Sequence, residues 1–318
     1  MSVSNTFFES FPSIPSLLPL SESPRTFSIR EPNPPLQPSE QVEKAKSCAT
    51  SVFSGIVASI ATRNPVPFLI GFCGCLPKSL AQQKIGNEFQ VNTYTDNNQN
   101  NPSVESFSNG HFMVVWVSDG QDGSLDGIFG QLFTGNATKI DNEFQVNTYI
   151  NNHQNYPSVM SLSNGNLIVT WQSYGQDGFP GYGIFGRLFA VNGSKIGNEF
   201  QVNSYAASFQ QSSSVTSLSN SNFVVTWQSL NQDSSGFGVY GQIFSANATK
   251  IGNEFQVNTY TNAGQELPSV ASLNNDSFVV TWQSSWQDGD NYGIYGQLFA
   301  ENATKIGQEF QVNTYTGV

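Results

Sequence analysis

The chain has 318 residues, room for one or two domains, with 13% aromatic and only 11% charged residues and a formal net charge of −11. That aromatic content excludes general disorder and requires a packed core. Residues 82–318 hold 6 Lys/Arg against 18 Asp/Glu, and this balance of −12 disfavours binding to a nucleic-acid backbone while suiting solubility or attraction to cations.

Residues 1–81 differ in character from the rest. Residues 1–40 are rich in Ser and Pro and read as disordered. The next segment has apolar runs, and residues 49–76 offer a membrane-associated anchor, although neither run is long enough alone to span a bilayer. From Arg63 the chain resembles a displaced signal peptide. A basic flank precedes the apolar run Val66 to Leu76, and Ser79-Leu80-Ala81 fits the small-x-small cleavage rule. The expectation is a secreted or cell-surface protein. All three cysteines, Cys48, Cys73 and Cys75, lie in this part, which leaves residues 82–318 without a disulfide or a Cys-based site.

From residue 82 the chain repeats itself. EFQVN starts at Glu88, Glu143, Glu199, Glu254 and Glu309, and a tryptophan follows 28 residues later at Trp116, Trp171, Trp227 and Trp282. The units are approximately 88–142, 143–198, 199–253 and 254–308, with a surplus strand at 309–315. Each unit contains four strand candidates. PSVxSL has small residues. FVVTWQS and GIYGQLF are apolar on both faces, and EFQVNTY is apolar on one. A β-propeller blade needs that order, with a crowded inner strand, two sandwiched middle strands and a wetted outer strand. The expected fold is all-β, a small β-propeller of four four-stranded blades, with an open β-repeat array as the alternative. The repeated tryptophans are expected in the core. Five copies of EFQVN compete for four places in a closed ring, so the strand at 88–94 or that at 309–315 is left to pair with a second copy.

The pattern EFQVNTYT…PSV…SL…FVVTWQS…QDG…GIYGQLF…KIG resembles the tandem repeats of large secreted bacterial surface proteins of the RTX type. That resemblance covers residues 84–318 and implies an architectural or adhesive module. The calcium-binding nonapeptide of RTX segments is absent.

Candidate sites lie in the turns. Gln121, Gln176, Gln232 and Gln287, with Trp286, Tyr182 and Phe237, have the chemistry of a glycan or protein-binding loop face. Asp119, Asp122, Asp126, Asp177, Asp233, Asp288 and Asp290 offer carboxylates for Ca2+, or else cap Asp-Gly turns. Asn136, Asn192, Asn247 and Asn302 are sequons at one repeated place, and Asn275 is an unmatched fifth; they are glycosylation acceptors or simply good turn formers, and the four repeated ones are expected to be exposed. His111 and His153 are not equivalent, no catalytic set recurs and no phosphate loop is present. The function expected from sequence is a non-enzymatic binding or adhesion module with several equal loop surfaces for a glycan or cell-surface protein, or else a structural spacer.

Overall fold

A computed structural model describes residues 86–274 and 277–315, within a compact unit spanning Lys84–Val318. The apolar, signal-like and cysteine-containing segments fall outside the described residues, as does Asn275. Among the described residues no helix is long and apolar enough to cross a membrane.

Four antiparallel sheets of four strands follow one another along the chain. The first holds β1 (Gln99–Ser106), β2 (Phe112–Asp119), β3 (Asp126–Phe133) and β4 (Lys139–Gln145). The second holds β5 (Gln154–Ser161), β6 (Leu167–Tyr174), β7 (Tyr182–Phe189) and β8 (Lys195–Gln201). The third holds β9 (Gln210–Ser217), β10 (Phe223–Leu230), β11 (Phe237–Phe244) and β12 (Lys250–Gln256). The fourth holds β13 (Gln265–Ser272), β14 (Phe278–Ser285), β15 (Tyr292–Phe299) and β16 (Lys305–Gln311). Each sheet keeps sequence order, so each is a meander, and the expected propeller-blade architecture is what the chain adopts.

Side-chain alternation builds the contact between blades. In the third sheet Phe223, Val225 and Trp227 face back onto Ile168, Ile184 and Leu188 of the second. Val224, Val239 and Ile243 face forward onto Phe278, Val280 and Trp282 of the fourth. Trp171, Trp227 and Trp282 are fully buried and Trp116 nearly so, which places the tryptophan row in the core. Glycine at one position of the third strand admits an outer-strand ring: a Cβ on Gly241 would lie 2.6 Å from Phe255 Cζ.

The small first strands lie side by side, β1 against β5, β5 against β9 and β9 against β13. Polar contacts join them, as where the Val159 N–H donates to Ser103 Oγ at 3.4 Å and the Val270 N–H to Ser214 Oγ at 3.2 Å. No comparable packing returns from β13 to β1 among the described residues. The expected contest between two EFQVN copies for one place within a closed four-blade ring is therefore corrected. Glu309–Gln311 ends β16 as the outer strand of the fourth sheet, while Phe89 and Val91 lie as irregular chain against the outward face of the first sheet. The fourth sheet also departs from the expected double cover: β14 alternates between buried and half-buried residues, because no sheet lies beyond it.

Candidate functional site

The turns between second and third strands were the expected binding loops, and most of their polar groups are committed internally. Gln121, Gln176, Gln232 and Gln287 each donate through Nε2 to the repeat glutamate of the outer strand, Glu143, Glu199, Glu254 and Glu309, at 2.5–2.6 Å. The same glutamates accept the backbone N–H of Thr93, Thr148, Ser204 and Thr259 from the preceding unit. The four glutamines tie each turn to its own outer strand and, through the glutamate, to the unit before; they are structural rather than ligand-facing. Glu143 shows the electrostatic result. Burial alone would raise its carboxyl, but hydrogen bonds from the Thr93 hydroxyl and N–H, from Gln121 and from the Tyr94 N–H hold it below its ordinary value.

The repeated aspartates are turn caps. Asp122, Asp177, Asp233 and Asp288 accept the N–H two residues on, from Ser124, Phe179, Ser235 and Asp290. Asp122, Asp233 and Asp288 also accept from Gln145, Gln256 and Gln311. Burial pushes the Asp122 and Asp177 carboxyls up. The expected calcium loop does not converge: among the described residues no three His, Cys, Asp or Glu are grouped as metal ligands. Asn136, Asn192, Asn247 and Asn302 are all exposed in the turns after the third strands, and their side-chain oxygens accept from the residue two further on. Trp286 is 58% exposed with a left-handed backbone at φ 62°, and Phe237 is half-buried.

The register pair that closes the second and third strands at this end differs in every sheet, with Leu230 opposite Phe237 in the third and Ser285 opposite Tyr292 in the fourth. Asp119 ends β2 and Asp126 begins β3, directly opposite each other in the antiparallel register. Such pairs have Cβ atoms about 4.5–5.5 Å apart. The matching pair in the second sheet is Tyr174 and Tyr182, whose rings meet edge to face at 5.2 Å. Between the two pairs stands His153, just before β5, with Nδ1 2.6 Å from Asp126 Oδ2. The Asn155 amide, oriented as its neighbours require, donates to the same Oδ2 at 3.1 Å. The Asp119 carboxylate has no hydrogen-bond partner among the described residues. Burial, and then the Asp126 charge, push the Tyr182 phenol up, which keeps it a neutral donor. His153 and Asp126 side chains are 42% and 21% exposed, so the pair is open to solvent.

Sequence reasoning found Asp119, Asp126 and Tyr182 separately and dismissed His153, because no catalytic set recurs between units. The signal lay in that very lack of recurrence. Blade packing explains residues that repeat; the pair at this position differs in all four sheets, and only in the first is it two carboxylates.

No protein-family model matches the sequence, and no curated protein matches it. Solved structures of partial similarity are found. A Dyadobacter fermentans protein of unknown function is 9% identical with a TM-score of 0.46, over 64% of this chain and 66% of that one, so just under two thirds of its length is spanned. An α-L-arabinofuranosidase from Lactobacillus brevis is 12% identical with a TM-score of 0.43, over 67% and 74% of the two chains. An α-L-arabinofuranosidase from Fusarium graminearum is 12% identical with a TM-score of 0.47, over 71% and 69%. These likenesses describe the fold. Enzymes are named among these structures, so the expectation of a non-enzymatic adhesion or spacer protein is not kept, while likeness at this level assigns no activity to this chain.

Proposed function

We propose that the chain acts on a carbohydrate by acid–base chemistry at Asp119, Asp126 and His153. The observation that carries this reading is the 2.6 Å contact between His153 Nδ1 and Asp126 Oδ2, beside a second carboxylate directly across the strand pair. Glycosidic bond cleavage needs two carboxyl groups near one another, one to protonate the leaving oxygen and one to meet the anomeric carbon or activate water. Asp126, held in place by His153 and Asn155, suits the fixed role. Asp119, without a side-chain hydrogen-bond partner among the described residues, is left to meet the substrate. Tyr174 and Tyr182 add an aromatic surface with phenolic hydroxyls, the kind of wall on which a sugar ring packs its C–H face while its hydroxyls are bonded.

The test is turnover of a panel of aryl glycosides, α-L-arabinofuranosides included, by the full chain and by Asp126→Asn and Asp119→Asn. Hydrolysis of at least one substrate is expected, falling by more than about a hundredfold in either variant with an unchanged circular dichroism spectrum. No turnover on any substrate, or turnover that both variants retain, would end this reading.

A further inference from the structure

Each end of the sheet series keeps exposed apolar residues among the described residues, although on the first sheet Trp116 and Phe133 are already buried beneath the segment holding Phe89 and Val91. On the fourth sheet Leu273, Ile294 and Val312 are 43%, 40% and 50% exposed. Their counterparts in the third sheet, Leu218, Val239 and Val257, are 5%, 0% and 0% exposed, because the fourth sheet lies on them. On the first sheet Val104 is 64% exposed, whereas Val159, Val215 and Val270 at the same place are 5%, 4% and 8%. Beside Val104, residues Pro102, Val114 and Trp116 line an open cavity of about 310 Å³ whose other wall is Phe89 and Val91. At the inner strands, Val104 at one end and Leu273 at the other thus present the two halves of a contact that the chain makes three times within itself.

We propose that a second copy of this chain covers these ends, the fourth sheet of one copy lying on the first sheet of the other. Continuity with the internal contacts selects this occupant. The fourth sheet carries the forward-facing apolar set, in the right register, that the first sheet lacks. The internal polar contacts fix the alignment. Ser103 meets Val159 and Ser214 meets Val270, so Ser269 of one copy stands against Val104 of the other. The contact is heterologous, and each copy uses both ends. It is weaker than the internal ones for two reasons. Phe89 and Val91 already occupy the outer part of the receiving face, where Phe310 and Val312 of the arriving sheet would otherwise lie. Both copies also carry a net charge of −11, so added salt should strengthen the contact by screening.

Two measurements test this. Sedimentation of the full chain should show species larger than one copy that grow with concentration and with salt, and Ile294→Asp should return them to single copies with an unchanged circular dichroism spectrum. In a background where Cys48, Cys73 and Cys75 are Ser, mixing a Val104→Cys protein with a Ser269→Cys protein should give a disulfide-linked pair under mild oxidation. Neither protein alone should do so comparably. A single-copy mass at every concentration, or association that Ile294→Asp leaves intact with no selective cross-link in the mixture, overturns the proposal.

Discussion

Phe89 lies with its ring centroid 5.5 Å from that of Phe133, reproducing the contact in which Phe144 meets Phe189 at 5.7 Å across the next sheet boundary. The first EFQVN copy therefore does for the first sheet what an outer strand does for each following sheet, without belonging to a sheet itself. It places one large ring on Phe133 and leaves Phe89 46% exposed.

That difference in cover sets an order of stabilities. Trp227→Ala removes a fully buried indole and should cost roughly 3–5 kcal/mol. Phe89→Ala removes a ring that keeps about half its surface in water, and should cost less than half as much. Urea unfolding of both variants checks this. A Phe89 loss equal to that of Trp227 would mean that the N-terminal segment is integral to the cooperative core.

The close approach at the third strand gives a second expectation. A methyl on Gly241 would meet Phe255 Cζ at 2.6 Å, and Phe255 packs on the stacked pair Phe278 and Phe299, with ring centroids at 6.4 and 5.5 Å. The half-buried ring must shift to admit the methyl, so Gly241→Ala should destabilise by about 1–3 kcal/mol through overpacking. The double variant Gly241→Ala/Phe255→Leu should lose less than the sum of the two single changes. Strict additivity would show that the methyl finds space elsewhere.

The blades were legible because their cause is local and recurrent. Strand alternation in FVVTWQS and the constant 28-residue step from Glu to Trp are each visible in one pass along the chain. The role of Gln121 was not legible: its partner Glu143 lies 22 residues on, and that glutamate is held in turn by Thr93, 50 residues before it. The Asp126–His153 pair joins residues 27 apart in different units, and the expectation that a site must recur hid it. Closure of the series was out of reach as well, because the angle between packed sheets is set by side-chain volumes in three dimensions rather than by strand order.

The Glu143 network gives the last prediction, a pH dependence of defined sign. Its carboxyl sits below the ordinary value of 4.5 in the folded chain, since the donors from Thr93, Tyr94 and Gln121 favour the charged form. A folded value below the unfolded one means that the unfolded state takes up the proton more readily. The stabilisation is then fully present above the ordinary glutamate range and is lost as pH falls through the folded value. The loss should be local first, because the network is what fastens residues 93 and 94 to the first sheet. Hydrogen exchange at the Thr93 and Tyr94 N–H groups, corrected for intrinsic rates, should therefore lose protection only once pH has fallen below the ordinary glutamate value of 4.5, before the buried middle strands do. Glu143→Gln keeps the shape but offers one acceptor oxygen where two were used. It should show low protection at both N–H groups already at neutral pH, with little further change on acidification. Equal acid sensitivity in wild type and variant would place the titrating group elsewhere, and the tie between the first EFQVN copy and the first sheet would then rest on Phe89, Val91 and the contacts of Asn92 with Lys139 and Gln99.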